Sequence, residues 1–544
     1  MQRSLKSRRR ALKSVLLASV AACIAFSAAQ AQTPDRVASG KAWWAHIEFM
    51  AADAQQGRLT GSPGEKASAE YVAARFKALG LQPAGTEGYF QPVAFKAQRV
   101  LADQSSVALV DGEVATPLSL GPDMLLSARL PQPTMIEAPL VFIGYGLVIP
   151  EYGHDELAGL DLRGKIAVVI NGGPAELSGP VKSHARSART WKALEAAGAV
   201  GLITLPTPKG MDVPWTRQML LASQPGMYLA DPSLGDVAGP RFTASVNPAQ
   251  AAKLFIKSGH DFAALLAAAE AGQKLERFPL NLSLRASVKT EVSDVASANI
   301  IARLPGSDPK LAAENVVVSA HIDHLGVGAP INGDSIYHGA MDDASGVASV
   351  IEIARAMKRQ KAKPKRSVLF VIVTAEEKGL LGSRYFALKP TVPRSSLVAD
   401  VNMDMPLPLW PLKYLLIQGA SESSLGGEAD AVAKAMGYAL TSDPYPDRNS
   451  FVRTDQYSFV KAGVPSLALK FGYPVGTPAY QIEKDWRTNR YHSPADNLSQ
   501  PVDLSAAADF NAYVTALTLK IADNPVKPTW NADSIFKDSG APKP

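Results

Sequence analysis

The sequence is poor in cysteine, in uncompensated charge and in long apolar runs. Its 544 residues include one cysteine, Cys23. A single thiol forms no intramolecular disulfide, so stability must come from core burial, which a chain of this length can supply. The net charge is +6, from 56 basic and 50 acidic residues. All of that excess lies in residues 1–31, where Arg3, Lys6, Arg8, Arg9, Arg10 and Lys13 stand without an acidic neighbour, leaving 50 residues of each sign in the rest. A nucleic-acid or anionic-membrane partner recruited by bulk charge is thereby excluded. No stretch after Ala29 is long and apolar enough to span a bilayer, and no repeat recurs at a fixed period. With 47% hydrophobic and 19% charged residues, the composition is globular rather than fibrous or disordered, and the length suggests about two to four domains.

What is present begins with an export signal. The basic start leads into the apolar run Val15 to Ala29, then Ala29-Gln30-Ala31, a small-x-small cleavage site before Gln32. Residues 1–31 read as a signal peptide that delivers the chain to the periplasm or beyond. Ser7-Arg8-Arg9-Arg10-Ala11-Leu12-Lys13 resembles a twin-arginine motif, with Ala11 where an aromatic is usual, so both export routes stay open. Val20-Ala21-Ala22-Cys23 also resembles a lipoprotein box, which would anchor the chain at Cys23; the downstream site is the better match.

Periodicity predicts a helix carrying Trp43, Trp44, Ile47 and Met50, a loop over 57–64, and a second helix over 67–79 ended by Gly80. Short alternating segments over 90–100 and 106–110 read as strands. From about residue 138 the texture turns β-rich, with runs at 140–146, 165–170 and 199–205, a helix near 187–197, and an Ala-rich helix over 262–271. A βαβ rhythm follows. Val316 to Ala320 is a buried strand, 346–359 an amphipathic helix, and Val368 to Val373 an unalternating strand of the kind covered on both faces. Strand candidates at 398–403 and 466–469 complete it, and 525–544 reads as a loose tail.

The chemistry-bearing residues sit where these strands end. His321, Asp323 and His324 follow the first strand, Glu376-Glu377 the second, and Asn402-Met403-Asp404 the third. Open α/β sheets bind ligands outside the carboxyl ends of their strands, so these groups converge on one crevice. Asp342-Asp343 lies in a Gly/Ala/Ser turn before the helix, and His492 follows Tyr491 in a late loop. Imidazoles and carboxylates without a thiolate suit a hydrolytic Zn²⁺ site, for which Mn²⁺ or Co²⁺ can compete. Two such ions polarise a carbonyl and activate water together. His46, His154, His184 and His260 have no matching carboxylates nearby in sequence and read as structural.

These motifs together resemble the co-catalytic di-zinc exopeptidases, a family that includes secreted bacterial aminopeptidases, glutamate carboxypeptidase and the transferrin receptor. The resemblance is carried by Ser319-Ala320-His321-Ile322-Asp323-His324-Leu325-Gly326, by Gly339-Ala340-Met341-Asp342-Asp343-Ala344-Ser345-Gly346 and by Glu376-Glu377-Lys378-Gly379-Leu380-Leu381-Gly382-Ser383. Asn402-Met403-Asp404-Met405 and Tyr491-His492-Ser493-Pro494-Ala495-Asp496 complete it. It implies an α/β fold with a mixed, mostly parallel central sheet and helices on both faces, plus an inserted β-rich unit of the protease-associated type. The implied division is a signal at 1–31, peptidase at 32–134, the insert at 135–275, the catalytic part at 276–524 and a tail at 525–544.

The resemblance also implies one zinc held by His321, Asp342 and Asp404, and another by Asp342, Glu377 and His492, with Asp342 bridging. Glu376 matches the general base and Asp323 the carboxylate that orients His321; beside them, the Tyr491 hydroxyl is a candidate to help stabilise the oxyanion. The implied reaction is hydrolysis of the N-terminal bond of a peptide by a metal-bridged hydroxide. Two positions depart from the family pattern: His338 stands where Asn is commoner, and Gln456 replaces a His within Thr454-Asp455-Gln456-Tyr457. Asp455 and Glu422 are candidates to meet a substrate α-amine. Arg453 and Arg448 keep a carboxypeptidase or dipeptidase open, because arginine forks suit an α-carboxylate. An amidase acting on non-peptide amides and a non-catalytic binding protein are the further alternatives. The filled ligand positions argue against the last.

Overall fold

The computed structural model describes residues 35–211, 213–222, 224–235, 239–448 and 450–539; the signal peptide reading for 1–31 lies outside them. Helix α1 (Arg36–Met50) begins at Asp35, whose carboxylate accepts from the amides of Val37 and Ala38. Helix α2 (Pro63–Ala78) begins at Ser62, whose hydroxyl accepts from the Glu65 amide, while the Glu65 carboxylate reaches back to the Gly61 amide. Both caps occupy donors that a helix start leaves without partners. Pro63 at the first helical position begins α2 four residues earlier than periodicity alone predicts.

The central sheet has ten strands among the described residues. Its middle is parallel: β1 (Asn315–His321), β2 (Ser367–Val373), β3 (Leu397–Asn402) and β4 (Ser466–Phe471) lie in the order β2-β1-β3-β4. Every residue of these four strands is buried, which is why they lack polar alternation. Antiparallel strands extend the sheet, Thr290–Leu304 and Phe90–Val100 beyond β2, and Tyr414–Gln418 beyond β4. Val316, Val318 and Ala320 of β1 pack on one face with α1, α2, α3 (Ser345–Lys358) and α5 (Leu504–Asp523); α4 (Pro478–Asn489) joins the same core through Trp486. Val317 packs on the other face with Phe386 and Phe459 from the helices Leu381–Leu388 and Gln456–Lys461. The structure is thus a mixed α/β fold with helices on both faces.

A second sheet of eight strands has its own core. It draws strands from Ser106–Asp111 through Phe278–Ser287, so it reaches past the expected 135–275 on both sides. Within that stretch Gly226–Leu229 pairs instead with Phe90–Val100 of the central sheet. Alternation announces a strand but carries no information about which sheet it joins, which is why these boundaries were not readable in sequence. Residues 525–539 also differ from the expected loose tail. Trp530 donates its indole N–H to the Gly463 carbonyl at 3.1 Å, and Phe536 is fully buried against Phe451 and His184. Two isolated aromatics give this segment an anchor without giving it periodicity. No helix among the described residues is long and apolar enough to cross a membrane.

Candidate metal centre

The ends of β1, β2 and β3 open toward one crevice, as the order of the strands requires. His321 is the last residue of β1, Glu376 and Glu377 follow β2, and Asp404 follows β3. Asp342 and Asp343, joined by a cis peptide, lie just before α3. His492 follows α4 in the left-handed conformation, φ +51°, which a residue with a Cβ adopts only when its surroundings hold it there.

These groups form two buried clusters that share Asp342. His321, Asp342 and Asp404 make one, and His324, Asp342 and Glu377 the other. His321 Nε2 lies 3.2 Å from Asp342 Oδ1, and His492 Nε2 lies 3.2 Å from Asp342 Oδ2 and 3.4 Å from Glu377 Oε2. His324 Nδ1 lies 2.8 Å from Glu377 Oε1, so the second cluster faces two imidazoles. His324 carried a visible signal, three residues after His321 in the same motif, but spacing alone does not show which ring turns inward.

The donor set suits a divalent cation. His321 Nδ1 faces the Asp323 carbonyl at 3.1 Å. A carbonyl only accepts, so Nδ1 carries the proton and Nε2 presents its lone pair to the cluster. His321 Nε2, Asp404 Oδ1 and Glu377 Oε1 are buried without a hydrogen bond. Lone pairs converging on one space, out of water and unsatisfied, are costly unless a cation joins them.

The surrounding residues fix these groups by their backbones. The Asp343 carboxylate accepts from the amides of His321, Gly346 and Met405, tying together the turn and the ends of two strands. A Cβ on Gly346 would stand 2.4 Å from that carboxylate. Asp496 accepts from the amides of Met341 and Asp342. Asp323, expected to orient His321 through its carboxylate, does so through its carbonyl; the carboxyl Oδ1 is 3.8 Å away. That carboxylate instead accepts from the Glu376 amide and the Thr60 hydroxyl, each at 2.9 Å.

Arg58 has a deeper role that its sequence context does not reveal. It is fully buried and donates to four carbonyls, those of Met50, Ile322, His338 and Gly339, at 2.7–2.9 Å. It thereby clamps the β1 end to the Asp342 turn. Arg217, on the helix Trp215–Leu221 beside the second sheet, donates to the carbonyls of Tyr491 at 2.9 Å and Thr488 at 3.0 Å, holding the His492 segment.

A cavity of about 40 Å³ exposes Asp342, Glu376, Asp404, Tyr491 and His492 together, with Arg453 and Arg487 in its wall. The Tyr491 ring stacks on His492 at 3.9 Å and lies under the Arg487 guanidinium. Burial, with Glu377 and Asp404 adding to it against His321, holds the Glu376 carboxyl well above the usual carboxylate range. Neither candidate for an α-amine partner lines this cavity. Asp455 is fully buried, its carboxyl pushed up to about 7 by that burial, and Glu422 bonds to Ser534 near the end of the chain. The two departures from the family pattern are structural in this fold. His338 faces the Ala51 carbonyl and Asp334, while Gln456 bonds to Thr454 and the Phe451 carbonyl.

Residues 299–518 match the model of peptidase family M28. That segment contains all five expected metal-binding positions and Glu376. A probable zinc metalloprotease from Pyrenophora tritici-repentis is 30% identical over 260 residues, covering 42% of this chain and 58% of its own length. Leupeptin-inactivating enzyme 1 of Streptomyces exfoliatus is 27% identical over 246 residues, covering 43% and 51%. The chain spans about half the length of these curated relatives. An aminopeptidase from Aneurinibacillus sp. strain AM-1 has the same overall fold, with a TM-score of 0.51 at 20% identity, over 90% of this chain and 95% of that one.

Proposed function

We propose that the protein is an exported, zinc-dependent exopeptidase that removes N-terminal residues from peptides. The observation that carries this reading is the pair of buried clusters sharing Asp342 beside the carboxyl group of Glu376, inside the segment that matches family M28. In this proposal His321, Asp342 and Asp404 hold one zinc ion, and Asp342, Glu377 and His492 the other. Bound there, the ions supply Lewis acidity to the scissile carbonyl and lower the pKa of water.

The protein's own residues do the rest. Glu376 accepts a proton from the attacking water and returns it to the leaving amine. Asp323 keeps the Glu376 backbone and the His321 ring in register through two different oxygens. Tyr491 flanks the position where the oxyanion develops, and Arg217 and Arg487 hold it from either side. His324, packed against Glu377, limits the directions that carboxylate can take.

The second sheet is proposed to be a protease-associated type of insert that walls the crevice. Residues 1–31 are proposed as the signal that exports the chain. A carboxypeptidase remains the second reading, because Arg453 lines the catalytic cavity.

The test is product analysis by mass spectrometry on a mixture of free peptides and its N-acetylated copy, with zinc-loaded protein, with and without chelator. Chelator-sensitive loss of N-terminal residues from the free peptides alone is expected. Cleavage of both sets from the C-terminus refutes the aminopeptidase reading in favour of a carboxypeptidase, and cleavage of neither refutes exopeptidase activity.

A further inference from the structure

Beside the catalytic cavity lies a larger one of about 500 Å³, between the second sheet's unit and the loop before Gln456–Lys461. Five cationic side chains line it, Lys182, Arg186, Lys209, Arg448 and Arg453, against one carboxylate, Glu270, among the described residues. Arg453 lines both cavities, and its charge is felt by Tyr491 and His492. The two spaces are therefore neighbours across one side chain.

The cations are positioned rather than loose. Arg448 stacks over Tyr445 at 3.7 Å and sits 3.6 Å from Glu483, and Arg453 donates to the Arg448 carbonyl. Arg186 is the most telling. Its two terminal nitrogens donate to neutral acceptors, the Asn171 amide oxygen and the Gly172 carbonyl, and its Nε is buried without a partner. Burial brings its pKa down to about 10. Arg186 is half-buried, and Glu156 acts on it only through space, without a hydrogen bond; its fork is left with neutral acceptors, and a carboxylate is the group that this planar fork fits best.

We propose that this cavity binds a carboxylate of the substrate, so that the enzyme selects short peptides carrying an anionic group beyond the bond it cuts. The carboxylate can be the free C-terminus of a peptide of a few residues or an acidic side chain; both present the same two oxygens. This inference rests on the exopeptidase reading, and it adds what that reading leaves open, the substrate class. The second sheet's unit, which supplies Lys182, Arg186, Lys209 and Glu270, becomes a part of the specificity site rather than a cover for it.

The experiment compares four tripeptide series on the zinc-loaded protein, each with a free and varied N-terminal residue: X-Gly-Gly, X-Gly-Gly amide, X-Gly-Glu amide and X-Gly-Gln amide. The expected result is kcat/KM about 10-fold higher for the acid than for its amide, or for the Glu amide than for the Gln amide, each 10-fold corresponding to about 1.4 kcal/mol. Which pair differs identifies the source of the carboxylate. Arg186→Gln and Lys209→Ala should shrink the preferred ratio at least about 3-fold, through KM, while hydrolysis of the neutral amides stays within about 2-fold of the parent. Lys209 is exposed, so its variant tests the idea even where loss of Arg186 disturbs folding. Equal cleavage of all four series, or a preference that survives both substitutions, overturns this inference and leaves exopeptidase activity standing. Cleavage of none overturns the exopeptidase reading itself, and this inference falls with it.

Discussion

Replacing Arg58 with methionine removes a charge from the interior, yet the structure predicts that it destabilises the protein. Methionine keeps much of the apolar stem and deletes donors to four carbonyls, Met50, Ile322, His338 and Gly339. The guanidinium is fully buried and desolvation lowers its pKa, so its removal recovers some hydration cost. The four acceptors, however, remain in a space that water does not reach. The Gly339 carbonyl keeps the Ala344 amide at 3.3 Å; at about 1 kcal/mol for each of the other three, the low end of the usual range, the loss is about 3 kcal/mol. At about 2.1 cal/mol/K of unfolding entropy per residue, a central-sheet unit of about 300 residues falls in Tm by roughly 5 °C for such a loss. The damage should also be directional. Ile322 follows His321, and Gly339 stands three residues before Asp342, so relaxed backbones there should weaken metal binding by about 10–100-fold. Arg58→Lys keeps the charge but offers three donors from one nitrogen, and should recover only part of both losses. Calorimetric melting and metal titration of the purified variants measure the two effects. An Arg58→Met protein that melts within about 2 °C of the parent and binds metal as tightly would refute the clamp.

Three further outcomes are expected. Glu376→Gln should retain metal and lose about 10²–10⁴-fold in kcat, the usual share of a general base; steady-state kinetics with metal analysis decides, and near-normal turnover would sink the assignment. Arg217→Ala should reduce occupancy at the His492 side more than at the His321 side, because both carbonyls it releases belong to the His492 segment; mass-spectrometric metal counts that match the parent would contradict this. His184 is kept neutral in the fold, its pKa brought down to about 4 by burial and then by Arg189. Its unfolded value is near 6.5, so the unfolded chain binds the proton first. Stability tied to His184 is present above about pH 6.5 and is lost as pH falls toward 4, with a slope of at most about 1.4 kcal/mol per pH unit. The Tm of His184→Gln should therefore fall less between pH 6.5 and 5 than the parent's, and parallel curves would refute it.

The sequence by itself determined the central strands and the chemistry at their ends. Val316 to Ala320 and Val368 to Val373 are apolar without alternation because they are covered on both faces. His321, Glu376, Glu377 and Asp404 were readable because each follows such a strand directly, within a few residues, where chain connectivity alone fixes the location. Long-range closure was not readable in the same way. Whether Ser106–Asp111 joins the first or second sheet, whether Asp323 works through its carboxylate or its carbonyl, and whether Phe536 docks against His184 all depend on contacts between residues far apart in the chain. Nothing in its sequence context distinguishes Arg58; only the tertiary structure sets four carbonyls around it. Local pattern encodes what a segment will bury, because burial follows the period of the helix or strand. Which partner covers it is decided by three-dimensional packing, and the clamp at Arg58, the brace at Arg217 and the basic cavity at Arg186 exist only there.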